Sequence, residues 1–442
     1  MTLEALVAFQ PTCKHLEGID DRSGINFTLE QRTRTFMSRS VFRSSLFLVA
    51  AAMSLTAPIT GNALAKSTCK NTGSFEGWKK NFRDEVVRAG VTPSTIRRTY
   101  DRTTFQPDIV RRDRRQSFFS RSFVDFSKRL VSSHRLRAGA KKLKQRAGEF
   151  ARAEREYGVP AEVITAFWAL ESDFGAGITK QSQIFNSLAT LAYDCRRPEL
   201  FRRELIAAMK IIDRGYLTLD RMTGSWAGEL GQTQFLPSHY LNHAIDADGD
   251  GRRDLIRSDA DIIQSTANFI RHLGWRRGEP WLEEVRVPAD LPWAEADLTI
   301  KHPVGKWAAW GVKRRAGGRL RGDQPASLLL PMGRNGPAFL AYRNFDIYPL
   351  WNQSLNYAVT AAYLATRLAG AEPYRAGRGT VEEYGYKELL ELQRLLVRRG
   401  FDTGGIDGKL GAKSRAAVKA AQMKFGLPAD SYPSAELFRR LR

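Results

Sequence analysis

The sequence predicts a mainly α protein with a small β-containing subdomain and a C-terminal three-helix bundle. Three observations lead there. From residue 75 to about residue 153, aromatic and apolar residues recur at helical spacing and strand signals are scarce. Residues 280–350 break that pattern: Trp281, Trp293, Trp307 and Trp310 are scattered among Pro and Gly, and 326–331 and 337–342 have the length and composition of short strands. Beyond an aperiodic linker at 373–384, helical patterns at 389–396, 414–425 and 434–441 are divided by a tight glycine turn at 404–411.

Taken in order, Phe75, Trp78 and Phe82 are spaced by three and four, and Thr92-Pro-Ser-Thr95 reads as a helix start. Residues 137–155, rich in Lys, Arg, Ala and Glu, predict an exposed helix that stops at Tyr157-Gly-Val-Pro160. Residues 199–219 form an amphipathic pattern with Leu205, Ala208, Ile211 and Ile212 on one side. The stretch 228–237 carries too many glycines for a regular helix or strand. Its Gly231-Gln-Thr-Gln234 would let the backbone approach a ligand while Gln234 supplies both a donor and an acceptor. An Ala-rich helix follows Trp351-Asn352 and ends near Gly370.

The formal net charge is +22, and residues 1–65, with six Lys/Arg and five Asp/Glu, contribute only one unit of it. No stacking or base-reading motif accompanies the charge, which argues against nucleic acid as a partner. An anionic envelope surface fits better, and a basic face that only keeps the protein soluble is the plain alternative. Residues 37–65 read as a secretory signal peptide: Met37-Ser-Arg-Ser-Val-Phe-Arg43 is basic, 45–59 is mostly apolar and interrupted by Pro58, and Ala63-Leu-Ala65 is a small-x-small cleavage pattern before Lys66. Residues 1–36 then read as a mis-assigned start, or as an extension with the signal acting as an anchor. Cleavage after Ala65 would deliver a soluble, monomeric product to the periplasm. Export leaves Cys69 and Cys195 as an even pair in an oxidising compartment, so a disulfide is expected, with two buried thiols as the alternative.

One carboxylate stands out. Val163-Ile-Thr-Ala-Phe-Trp-Ala-Leu-Glu171-Ser-Asp-Phe-Gly175 is an apolar run with Glu171 inside it and a helix-stopping glycine at its end. If residues 161–174 are helical, Phe167 and Phe174 share the face of Glu171. Desolvation would then raise its pKa toward neutrality, as a general acid requires. Asp173 faces another way, so no partner carboxylate is expected from this helix. A solvated helix-end glutamate is the alternative on spacing alone.

Downstream, Asp246-Ala-Asp248-Gly-Asp250-Gly-Arg252 has carboxylates at positions 1, 3 and 5 and glycine at 6, as a calcium loop requires. Arg257 stands where the usual closing glutamate would be. An Asp/Gly turn without metal is the alternative.

Four motifs appear in one order: Glu171-Ser-Asp-Phe-Gly175, Ser225-Trp-Ala-Gly-Glu-Leu-Gly-Gln-Thr-Gln-Phe-Leu-Pro-Ser-His-Tyr240, the Asp246 loop, and Ser265-Thr-Ala-Asn-Phe-Ile-Arg-His-Leu-Gly-Trp275. Together they closely resemble the lytic murein transglycosylase B family over about residues 75–370, and the C-terminal segment closely resembles the peptidoglycan-binding module. The resemblance implies a lysozyme-like helical catalytic domain at 66–372, a linker at 373–384 and a peptidoglycan-binding domain at 385–442.

It implies cleavage of the β-1,4 bond between N-acetylmuramic acid and N-acetylglucosamine with a 1,6-anhydro product, catalysed by Glu171 without a cofactor. Ser225 and Gln234 would line the glycan cleft, with Arg196 and Arg197 beside the bound strand. Those arginines read without the resemblance as exposed loop charges. Trp351-Asn352 stands where relatives commonly carry Tyr-Asn. Trp351 would stack on a sugar, or be a core residue. A structural calcium would take Asp246, Asp248, Asp250 and Arg252, closed by Asp261 or else by Asp259. The rivals are a non-catalytic wall-binding scaffold, disfavoured by the presence of Glu171 and Gln234, and a hydrolysing muramidase, which only the resemblance disfavours.

Overall fold

Helix α1 (Phe75–Arg88) begins where the Ser74 hydroxyl accepts the Gly77 N–H at 3.1 Å, and it buries its Phe75, Phe82 and Val86 side. It opens the part of the chain covered by this computed structural model, which describes residues 71, 73–114, 121–176, 184–222, 224–315 and 317–442. The expected extension, the signal peptide and Cys69 lie outside the described residues. Thr92 caps α2 (Pro93–Arg98), with proline in its first turn. Two short helices, α3 (Pro107–Arg114) and α4 (Phe123–Leu130), follow.

The helix expected at 137–155 is two helices, α5 (Ser133–Gln145) and α6 (Ala147–Tyr157), broken at Arg146. Nor is α6 fully exposed, since Phe150 and Ala153 are buried. Gly158, in the left-handed conformation at φ +74°, ends α6, and Pro160 leads into α7 (Ala161–Ser172). Every residue of α7 from Val163 to Ser172 is buried. Packing against α5 and α6 and against a later helix, α14, puts all its faces out of water. Helix α7 ends two residues before the sequence suggests, because Asp173 and Phe174 both turn left-handed at φ 52° and 59°. Phe174 therefore lies outside the helix, edge-on to Trp168 with 5.5 Å between ring centres, while Phe167 keeps its helical spacing to Glu171.

Helices α8 (Ile184–Tyr193) and α9 (Pro198–Asp213) pair next, and α9 buries the predicted Leu205, Ala208, Ile211 and Ile212. Two further helices, α10 (Pro237–His243) and α11 (Asp259–His272), frame the Asp246 loop. The small sheet comprises β1 (Leu282–Arg286), β2 (His302–Pro303), β3 (Lys313–Arg314), β4 (Pro325–Leu329) and β5 (Ala338–Tyr342), antiparallel in the order β2-β4-β5-β1-β3. Leu328 faces Leu340 across β4 and β5, over a core that includes Trp307 on α12 (Val304–Ala309). Short α13 (Ile347–Trp351) then brings the chain back to α14 (Leu355–Leu368), which lies against α7.

The C-terminal bundle is α15 (Tyr386–Arg398), α16 (Ala412–Lys424) and α17 (Ala435–Leu441) around Leu392, Leu396, Val418 and Leu437. Two buried glutamines pin its loops: Gln393 Oε1 accepts the Asp407 and Gly408 N–H groups, and Gln422 Oε1 accepts that of Ser431. Residues 373–384 hold no helix or strand, yet they are fastened down. The Tyr374 ring packs on Phe123 and Tyr363, and Arg375 N–H donates to Glu284 at 2.7 Å. The bundle itself is docked, with Lys419 paired to Asp297 at 2.9 Å, Asp430 accepting the Arg334 N–H at 2.9 Å, and Arg415 donating to the Leu330 carbonyl at 3.3 Å. Among the described residues no helix is long and apolar enough to cross a membrane.

Candidate active site

Glu171 sits in the last turn of α7 with 6 % of its surface exposed. Burial raises its carboxyl to about 7, and two donors oppose the rise: the Tyr357 hydroxyl and Trp351 Nε1, the latter at 2.8 Å, both bond Oε1. Tyr357 stands in the first turn of α14 and Trp351 at the end of α13. The helix–helix packing thus delivers both to one oxygen. Oε2 accepts neither of these bonds. The result is a carboxyl that exchanges a proton near neutral pH from a fixed orientation.

The glycine-rich stretch folds into two linked tight turns, closed by pairing of Gly224 with Leu230 and of Leu230 with Phe235. Glycine is required at 224, where a Cβ would fall 1.7 Å from the Glu229 carbonyl oxygen, and at 231, where φ is +72° and a Cβ would meet Leu255 at 2.7 Å. The close approach expected for a ligand is thus made to the chain's own Leu255. Gln232 fastens the turn: its amide oxygen accepts Trp168 Nε1 at 2.7 Å, and its Nε2 donates to the Ile256 carbonyl at 2.6 Å. Gln234, left-handed at φ 52°, donates Nε2 to the Gly231 carbonyl at 2.7 Å. Ser225 bonds the carboxyl of Glu229 and accepts the Ala227 N–H at 3.1 Å. Glu229 is 2 % exposed, and burial pushes it up to about 8, with the Glu171 charge adding to the rise. A second buried carboxyl therefore stands near Glu171, where the α7 sequence offered no partner.

The transglycosylase SLT domain matches this chain over residues 74–366, and the putative peptidoglycan-binding domain matches residues 386–441. The chain belongs to the SLT transglycosylase family. SltB3 from Pseudomonas aeruginosa, solved in complex with NAG-anhNAM-pentapeptide, is 38% identical with a TM-score of 0.77, covering 84% of this chain and 100% of that one. The membrane-bound lytic murein transglycosylase B of Escherichia coli (strain K12) is 29% identical over 252 residues, 56% of this chain and 68% of its own length. The Escherichia coli lytic transglycosylase SLT35, solved in complex with calcium, is 26% identical at a TM-score of 0.57, covering 66% of this chain and 92% of that one.

Within this transglycosylase the remaining predicted residues divide. Trp351 is 1 % exposed, its ring 4.3 Å from Phe167 and 5.3 Å from Phe269. No face is left for a sugar, so of the two readings, stacking residue or core residue, the ring takes the second, and its N–H holds Glu171. Asn352, 4 % exposed, accepts the Ser354 N–H at 3.0 Å where α14 begins. Arg196 and Arg197 converge on buried Asp113, with Arg196 Nη1 at 2.5 Å, so both guanidinium groups are held by α3.

In the acidic loop, carboxylate oxygens of Asp246, Asp248 and Asp261 lie within 4.8 Å of one another. Asp250 is outside that group, its Oδ1 accepting the Arg252 N–H at 2.8 Å. Asp259 is clamped by Lys142 and Arg146, each at 2.8 Å, so Asp261 closes the loop. Asp261 is fully buried and accepts the Ala247 and Asp254 N–H groups at 2.7 and 2.6 Å. Three converging carboxylates fit a hard cation that takes oxygen ligands. Sequence reasoning missed two residues, Tyr357 and Glu229. For Glu229 a signal was present, a charged residue inside a glycine-rich turn.

Proposed function

We propose that the mature chain acts in the periplasm on peptidoglycan glycan strands, with Glu171 as the sole proton-transfer group. Protonated Glu171 gives its proton to the glycosidic oxygen as the bond to C1 of the N-acetylmuramic acid unit breaks. As carboxylate it then takes the proton of the C6 hydroxyl of that sugar, whose oxygen bonds C1. Glu171 ends protonated and no water is consumed, so the product carries a 1,6-anhydro end. The observation that carries this reading is the buried Glu171 carboxyl, raised to about 7 and oriented by Trp351 and Tyr357. Hydrolysis by two carboxylates would need an ionised base for the water. Burial pushes Glu229 up to about 8, which disfavours it as that base.

Ser225 and Gln234 are proposed to line the glycan cleft, with Arg196 and Arg197 beside it. Mass spectrometry of products from purified glycan strands tests the reaction: ends lighter by one water than a reducing sugar are expected, and reducing ends overturn it. Glu171→Gln should abolish turnover in a folded protein, and near-normal turnover would remove the assignment.

Two structural features complete the proposal. Asp246, Asp248 and Asp261 would hold a calcium ion that braces the loop between α10 and α11 and takes no part in the chemistry. Cys69 and Cys195 would form a disulfide, supported by the Asn71 side chain accepting the Cys195 N–H at 2.8 Å, which seats the chain two residues after Cys69 against Cys195. Titration of the oxidised, denatured mature chain should find no free thiol; two reactive groups would remove the bridge.

A further inference from the structure

Ser225 has one hydrogen and two lone pairs to distribute, and two of its three positions are committed. The Ala227 N–H occupies one lone pair at 3.1 Å, and the Glu229 carboxyl occupies a second position. What remains for a substrate depends on which partner supplies the proton of the Ser225–Glu229 bond. If Glu229 is ionised, the serine gives up its hydrogen and presents only a lone pair. If Glu229 is protonated, it donates, both lone pairs are used, and the serine hydrogen is free.

We infer that Glu229 is a positioning residue for Ser225: its protonated carboxyl donates to Ser225 Oγ and leaves the serine hydrogen as a donor to an acceptor oxygen of the glycan. The inference rests on the proposed place of Ser225 in the glycan cleft. The turn makes the pairing obligatory. Ser225 N–H donates to the Glu229 carbonyl at 2.9 Å, and the 1.7 Å a Cβ at 224 would leave to that same oxygen shows how closely the two strands of the turn are pressed. The carboxyl cannot swing out, since Glu229 is 2 % exposed while Ser225 is only partly buried. The charged groups acting on Glu229 are Glu171, which opposes ionisation, and Arg197, which favours it. Arg197 is already committed to Asp113 on α3. Burial outweighs the Ser225 hydroxyl and the Glu229 N–H, which favour the ionised form, and pushes the carboxyl up to about 8.

Two protons are then needed for turnover, one on Glu171 and one on Glu229, and the pair titrates as a unit. The test is the pH dependence of kcat/KM on a short soluble glycan, measured with the full mature chain. In the wild type the alkaline limb should begin near pH 7 with loss of one proton and steepen above about pH 8 to loss of two. In Glu229→Gln the carboxamide donates to Ser225 at every pH, so whatever the level of activity the limb should follow one proton throughout. Ser225→Ala, which lacks the group through which Glu229 acts, should also show a one-proton limb. Glu229→Ala, which cannot donate, should lose roughly tenfold in kcat/KM at pH 6.

A wild-type limb of one proton throughout, or a two-proton limb persisting in folded Glu229→Gln or Ser225→Ala, overturns the role of Glu229. Glu171→Gln separates this from the parent reading. An active Glu171→Gln overturns the acid assignment and this inference with it, whereas an inactive one beside a one-proton wild-type limb overturns the role of Glu229 alone.

Discussion

Two donors, Trp351 Nε1 and the Tyr357 hydroxyl, meet one oxygen of Glu171 and stabilise its ionised form against a burial effect of opposite sign. Removing either should therefore raise the carboxyl further above about 7. Tyr357→Phe deletes one hydroxyl from a fully buried site, and the alkaline limb of kcat/KM should move up by roughly half a unit to one unit. A limb that stays put or moves down would show that the tyrosine does not tune the acid. Glu171 was visible in the sequence as a lone carboxylate in an apolar run, but spacing alone left a solvated helix-end glutamate open, and the family motifs decided between the two. Its environment was legible only in part. Phe167 lies where the helical spacing put it, but the other neighbours come from 180 and 186 residues along the chain. No local pattern marks Trp351 or Tyr357 as partners of Glu171, since both look like ordinary core aromatics.

At the scale of elements, the sequence was most informative where periodicity ran long and least where backbone conformation ended a helix. Strands β4 and β5 fall close to their predicted spans, whereas α9 ends at Asp213 instead of near residue 219, and α7 stops early because Asp173 and Phe174 adopt left-handed angles that the Asp-Phe-Gly order did not reveal. The acidic loop shows the same division. Its Asp/Gly spacing was visible, but which aspartate closes it was decided by Lys142 and Arg146, distant residues on α5 and at its end, which occupy Asp259 and leave Asp261 to the loop. Calcium bound only by the folded chain raises stability by mass action. Millimolar calcium should accordingly raise Tm by a few degrees, roughly what 1 to 2 kcal/mol produces in a chain of this size. Asp248→Asn should lose that increment without lowering the calcium-free Tm by more than about 2 °C, because Asp248 is exposed. A wild-type melt indifferent to chelator would leave the loop a metal-free Asp/Gly turn.

Across the whole molecule the bundle and the larger domain are joined more closely than a tether requires. Arg415, Lys419 and Asp430 all make bonds to residues between Asp297 and Arg334, and a cavity of about 630 Å³ lies between the two parts, lined by Gln353, Ser354 and Asn356 on one side and Thr403, Lys409 and Arg415 on the other. Burial depresses the Lys409 ammonium against the opposing charge of Asp407, and the charge of Arg196 adds to the fall, so a bundle side chain lies within electrostatic reach of an arginine proposed to flank the glycan cleft. The linker at 373–384 was legible as aperiodic; that it is packed down was not, because its anchors, Phe123, Glu284 and Tyr363, are distant in sequence. Deleting residues 385–442 should then have two effects. Binding to insoluble sacculi should fall, since a module that holds the polymer raises effective concentration at the cleft. The truncated chain should also melt roughly 5 °C or more below the full chain, because the Leu330 carbonyl, Asp297 and the Arg334 guanidinium lose their partners. Turnover of a short soluble glycan should stay within about tenfold, as Trp351, Tyr357, Ser225 and Glu229 all lie outside the deleted segment. If a folded truncation lost all turnover of the soluble glycan while keeping the Glu171 environment intact, the bundle would have to form part of the cleft itself, and Lys409, whose ammonium feels the Arg196 charge, would be the first residue to substitute.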